Sequence, residues 1–164
     1  TDFSPGLLFE SSGTTQTATS RHWVKDPEIY RRSFTKAFNL FYGNVKDWCI
    51  LGLLPSYLER QHSSLVMMVD ELSKLSAHPD GGFYLDGHEK LSQTLQKLEA
   101  RQQKTLLIGV TFGLLDFAAA FQQQVKHTAV METGGMKGRR RELTRAEVHQ
   151  LLRDGLDVPA SGSE

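Results

Sequence analysis

Five small residues near the start of the chain, Ser11-Ser12-Gly13-Thr14-Thr15, follow directly on the apolar run Leu7-Leu8-Phe9-Glu10. The run reads as a buried strand, Gly6 to Phe9, and the small residues as the loop at its carboxyl end. Hydroxyls and backbone N–H groups gathered in such a loop can wrap the oxygens of a phosphate. The same composition also makes an ordinary turn. Position favours a ligand, because open α/β sheets bind ligands outside the carboxyl ends of their strands. A second stretch of this kind is Glu132-Thr133-Gly134-Gly135-Met136-Lys137, at the end of a strand read from His127 to Met131. Its glycine pair lets a flat ligand approach the backbone closely. A plain turn is the alternative. Lys137, Arg139, Arg140 and Arg141 then form a basic run that can attract phosphates. For Arg140 and Arg141 a solvated loop is the better reading.

Other chemistries are argued against by the residues themselves. No lysine follows Gly13-Thr14-Thr15, as a Walker-type phosphate loop requires. The six histidines show no paired metal-ligand spacing, so no protein-built zinc site is expected. Cys49 lies in the middle of the apolar run Trp48 to Leu54 with no histidine beside it, and a buried mid-strand thiol is inert.

The elements that must position these residues follow from periodicity and caps. Asp26-Pro27 reads as N-cap and first helical position of a helix that reaches Tyr42 and stops at Gly43. Ile29, Phe34, Ala37, Phe38 and Phe41 are its expected core face. Trp48 to Leu54 is a continuous apolar run, as in a parallel strand covered on both sides. Ser63 or Ser64 caps a helix to Ser76 with Leu65, Met68, Leu72 and Leu75 inward. Met67-Met68 is read as core filling. Phe83-Tyr84-Leu85 is a short strand. Asp86-Gly87-His88-Glu89 has capping-box spacing for a helix to Arg101, which makes His88 a helix-start residue. Lys104 to Val110 is a strand, with Thr111 capping the apolar helix behind it. Thr144 and Glu147 form a capping box for a helix ending near Gly155, and residues 159–164 are a tail. Strand and helix alternate about five times. That pattern predicts one α/β layered domain over residues 1–164, with a largely parallel central sheet and right-handed crossovers.

Composition sets the outer bounds. A chain of 164 residues with 39% hydrophobic and 23% charged residues can bury a core and is not disordered by composition. Lysine plus arginine balances aspartate plus glutamate at 19 each, so net charge gives no reason to propose a nucleic-acid or membrane-surface partner. A single cysteine cannot form an internal disulfide and suits a reducing cytoplasm. No apolar run approaches the ~20 residues that span a bilayer.

Ser11-Ser12-Gly13-Thr14-Thr15 also resembles the phosphate loop of the adenylate-forming superfamily, which includes acyl-CoA synthetases, phenylacetate-CoA ligases and firefly luciferase. Four further blocks narrow this. Tyr30-Arg31-Arg32-Ser33-Phe34, Leu53-Leu54-Pro55-Ser56-Tyr57-Leu58-Glu59-Arg60, Lys104 to Phe112 and Met131 to Arg139 resemble, in the same order, the acyl-protein synthetase family. Its founding members activate fatty acids in the reductase complex of bacterial luminescence. The resemblance runs from about Leu7 to Glu164. It implies part of the large N-terminal domain of an adenylate-forming enzyme, with ATP and Mg²⁺ as cofactors. It also implies a fatty acid or other carboxylate as substrate, and an acyl-carrying or reductase protein as partner. Ser11, Ser12, Gly13, Thr14 and Thr15 would bind the phosphates, with Arg21 in place of the superfamily's closing lysine. Gln16 stands where that loop ends in glycine. Thr133, Gly134, Gly135 and Met136 would flank the adenylate, with Tyr57, Thr111 and Phe112 beside the acyl and nucleotide pocket. The family's acyl-bearing cysteine lies beyond this stretch, and so does the segment Ser-Glu-Tyr-Gly-Met-Thr-Glu that would begin at Ser163-Glu164. The expectation is therefore a piece of a longer enzyme, with residues 1–164 inactive alone. A non-catalytic nucleotide- or acyl-binding scaffold of the same fold is the alternative.

Overall fold

Two apolar runs, Cys49–Leu53 (β3) and Thr105–Val110 (β5), lie side by side in parallel at the centre of the molecule, Leu51 opposite Leu107 and Gly52 opposite Ile108. Every residue of β3 is buried, and β5 is buried up to Gly109. Strands covered on both faces carry continuous rather than alternating apolar sequence, which is what both runs show. The computed structural model describes residues 6–10, 21–54, 62–133 and 143–157. Among these, β4 (Gly82–Phe83) pairs in parallel with β3 and β6 (Thr128–Thr133) with β5, giving the order β4-β3-β5-β6.

Helices cover both faces. Ile50, Leu54, Leu106 and Ile108 pack with Phe34 and Phe38 of α1 (Pro27–Tyr42) and with Val69 and Leu72 of α2 (Ser64–Ser76). The alternate residues Cys49, Leu51, Leu53 and Leu107 face the other way. They meet α3 (His88–Ala100), α4 (Thr111–Ala120) and α5 (Arg145–Leu156). The helix after β3 lies on one face and leads outward to β4. The helices after β4 and β5 lie on the other face and lead back across to β5 and β6. A crossover that reverses direction must change face to keep its hand, so this is the arrangement expected of right-handed βαβ units. Among the described residues, no helix is long and apolar enough to cross a membrane.

The first strand departs from the expected pattern. β1 (Leu7–Glu10) is not in the parallel sheet. It pairs antiparallel with β2 (Arg21–Val24), a strand in a stretch read as loop. The hairpin is fastened to the helices rather than to the sheet. Glu10 N–H donates to the His62 carbonyl at 2.9 Å, and the Phe9 ring meets Tyr30 edge-on at 5.0 Å.

Caps fall where local chemistry put them. Asp26 Oδ1 accepts from Glu28 N–H, Ser63 caps α2, and Thr144 with Glu147 forms a reciprocal capping box on α5. Two expected caps are corrected. The N-cap of α3 is Gly87, without a side-chain hydrogen bond, so no Asp86 capping box forms. The N-cap of α4 is Val110, and Thr111 is its first helical residue. The strand read at Phe83-Tyr84-Leu85 is Gly82–Phe83, and β6 runs on through Glu132 and Thr133.

The buried faces also differ from the periodicity reading. Ile29 and Phe41 of α1 are 64% and 78% exposed. The inward stripe is Tyr30, Phe34, Phe38 and Tyr42, four residues spaced i, i+4, and it continues edge-on into Trp48. Rings packed along one helix edge fill the space over the sheet, which turns Ile29, Ala37 and Phe41 outward. In α2, Leu75 is exposed while Val66, Met67 and Val69 are buried.

Two consequences are measurable. A Cβ on Gly155 would stand 2.8 Å from both Cβ and O of Ala118, because α4 and α5 touch there. Gly155→Val is expected to cost about 1–3 kcal/mol in urea unfolding, with partial rescue by Ala118→Gly. Lys97 Nζ donates to both Asp80 carboxylate oxygens at 2.8 Å, and this bond holds the Asp80 carboxyl below its ordinary value. A depressed folded-state value stabilises above the ordinary carboxyl range and loses that stabilisation as pH falls through it. Asp80→Asn should therefore lower the unfolding midpoint at pH 7 and shrink the difference from wild type as the solution is acidified below about pH 4.

Candidate functional site

At the carboxyl ends of β3 and β5 the chain leaves the sheet in opposite senses, toward α2 on one face and α4 on the other. Such a switch in strand order opens a crevice, the common ligand position in open α/β sheets. Gly109 allows the first turn of α4 to settle close on β5. A Cβ there would lie 2.7 Å from Leu114 Cγ. Thr111 is buried, and its hydroxyl donates to Glu132 Oε1 on the neighbouring strand. Register brings Glu132 opposite Gly109 and Thr133 opposite Val110, with Thr133 Oγ1 3.4 Å from the Gly109 carbonyl. The carboxylate of Glu132 is thereby held beside the N-terminus of α4, where the helix dipole favours negative charge and no side chain of Val110 caps the helix.

The structure thus brings together Thr111 and Thr133, and adds Glu132 between them. Sequence reasoning read Glu132 only as the residue after a strand. The signal that marks it, an acidic side chain in register with the strand preceding an uncapped helix, needs the β5–β6 pairing to be visible. Arg21 opens β2 opposite Glu10, and its Nε lies 3.1 Å from Glu10 Oε1 in an exposed ion pair. Ser11, Ser12, Gly13, Thr14, Thr15, Tyr57, Gly134, Gly135 and Met136 lie outside the described residues. The residues they follow are described. Leu54 ends the run of β3, Thr133 ends β6, and Glu10 is bonded to His62 just before the N-terminus of α2. The end of β1 therefore reaches the carboxyl side through the docking of its hairpin, not through membership of the sheet.

The oxygen donors Thr111, Glu132 and Thr133 suit hydroxyl-bearing ligands and hard cations. Among the described residues no group of three or more His, Cys, Asp or Glu side chains could hold a metal ion. Magnesium characteristically takes one or two protein oxygens and completes its shell with phosphate and water, and this donor set fits that mode. A separate cleft of about 490 Å³ runs along β4 from Pro79 to Gly87, on the other side of β3 from Thr111.

Cys49 is completely buried in β3. Burial, assisted by the nearby Asp80 charge and opposed by Lys97, pushes its thiol up to about 12. A thiol so placed is protonated at neutral pH and shielded from solvent. Compared with models of protein families, with curated proteins and with solved structures, the chain matches none. Iodoacetamide at pH 8 is expected to leave native Cys49 unmodified over hours and to alkylate it fully in denaturant, read by mass spectrometry.

Proposed function

We propose that the protein is the nucleotide-binding part of an adenylate-forming acid–thiol ligase, an ATP-dependent acyl-protein synthetase acting on a fatty acid in the cytoplasm. The observation that carries the reading is the switch point itself. Two motif blocks that resemble the family, Lys104–Phe112 and Met131–Arg139, enter the same carboxyl edge through Thr111 and Thr133. A third, Leu53–Arg60, leaves that edge from β3.

The chemistry asks little of general acids and bases. A carboxylate is a poor acyl donor because oxide is a poor leaving group. Attack of its oxygen on the α-phosphorus of ATP releases pyrophosphate and gives an acyl-adenylate whose leaving group is AMP. A thiol then takes the acyl group, and this thiol is not Cys49. The protein aligns the two anions and offsets their charge. Ser11, Ser12, Gly13, Thr14 and Thr15 would hold the β- and γ-phosphates through hydroxyls and backbone N–H groups. Thr133, Gly134, Gly135 and Met136 would flank the adenylate, with Tyr57 and Thr111 at the pocket wall. Magnesium would share the charge on the phosphates, with Glu132 a carboxylate available at that edge.

A scaffold that binds nucleotide without turnover is the second reading, and one contact favours it. Arg21, the candidate closing cation, is paired with Glu10, and Gln16 replaces the glycine of the related loops.

ATP–pyrophosphate exchange by the whole protein carrying this sequence, across a fatty-acid series, separates the two. Exchange that requires a fatty acid and falls by about 100-fold or more in Thr14→Ala supports adenylation. ATP binding without exchange for any acid supports the scaffold.

A further inference from the structure

Apolar side chains exposed singly need no explanation, but several on one helix do. Among the described residues, α1 carries three of the seven large hydrophobic side chains left exposed, Ile29, Leu40 and Phe41. Leu40 is 79% exposed. At 3.6 residues per turn, Ile29, Ser33, Lys36 and Leu40 fall within about 60° of one another, on the side of α1 opposite its buried aromatic stripe. Ile29 and Leu40 stand about 16 Å apart along the helix, or three turns. Between them lie the small, exposed side chains of Ser33 and Ala37. A second helix can settle closely against a face of this shape.

Charge along this face selects the occupant. Beside it, α1 and α2 border a groove of about 300 Å³. The two carboxylates of the groove, Glu28 and Glu71, are both held by Arg31, at 3.7 and 3.6 Å. Arg32 and Lys36 line the same groove and are exposed, and among the described residues no carboxylate pairs with either. A ligand with leucine-like anchors against Ile29 and Leu40 and carboxylates against Arg32 and Lys36 satisfies both features. A second copy of the chain does not. Two α1 helices packed antiparallel about a two-fold axis would set the Arg32–Lys36 flank of each against the same flank of the other, like charge on like. An anionic membrane is typically engaged by clusters of about four to eight basic residues, and this helix offers two, Arg32 and Lys36. We propose that the outer face of α1 is a docking surface for an acidic amphipathic helix of a partner protein. The surface lies across the sheet from α4 and Thr111, so it stands independently of the candidate site.

The test uses the full chain and a synthetic peptide of about 18 residues, with leucine at i, i+3, i+4 and i+7 and glutamate and alanine elsewhere, followed by fluorescence anisotropy. Arg32, Lys36 and Leu40 are exposed, so Leu40→Glu and the pair Arg32→Glu with Lys36→Glu can be made without touching the core. Saturable binding is expected to weaken about tenfold or more when the peptide order is scrambled, when its glutamates are replaced by lysine, and in each variant. The charge-reversed pair should in turn prefer the lysine peptide, and both variants should keep the wild-type unfolding midpoint. Equal binding of the scrambled peptide, variants that bind like wild type, or no saturable binding would overturn the proposal. Two other results would overturn it by naming a different occupant. One is co-sedimentation with phosphatidylglycerol vesicles, the other a concentration-dependent dimer in sedimentation velocity, either of them abolished by Leu40→Glu where the peptide does not bind.

Discussion

The parallel pairing of β3 with β5 is the contact on which the other elements depend. Both strands are covered on each face, so neither can be solvated without exposing two layers of core at once. Burying a single leucine of this kind is worth about 1.5–3 kcal/mol, and these two strands carry most of theirs fully buried. Parallel strands also cannot be joined by a tight turn. Each must be reached by a helical crossover, and the crossovers supply the covering layers. The sheet, its two helical faces and its carboxyl edge are thus consequences of one pairing.

That edge gains its character from where helices start. β5 passes into α4 without a spacer, and Gly109 allows the helix to sit low enough for Thr111 to reach Glu132 on the next strand. A buried hydroxyl, a carboxylate and a helix N-terminus therefore meet with fixed geometry. The same helix serves three environments, with its inner face in the core, its first turn at the edge and its outer face in the groove against α5.

The sequence was legible wherever the determining contact is local. Asp26 with Pro27, Ser63, and Thr144 with Glu147 mark helix starts because a cap bonds within three residues of itself. The run through Cys49 reads as a doubly covered strand because it is continuously apolar and too short for a buried helix, and the run through Leu107 reads as the next strand. The burial of Cys49 was legible for the same reason. Legibility failed where a partner far along the chain decides. Ile29 and Phe41 have the right spacing for a core face, yet a competing i, i+4 stripe of aromatics finds Trp48 and the sheet first. Asp86 has capping spacing, yet the backbone enters α3 one residue later, at Gly87.

By itself, then, the chain's pattern of apolar runs, caps and glycines determined that strands and helices alternate, that the sheet is largely parallel, and that hydroxyl- and glycine-rich stretches follow strand ends. These follow from periodicity and backbone preference, which act over a few residues. Only the tertiary structure decided that β1 leaves the sheet for a hairpin with β2, that Arg21 pairs with Glu10, and that Glu132 joins Thr111 at the edge. Each depends on pairing between segments more than ten residues apart, which periodicity over a few residues does not encode.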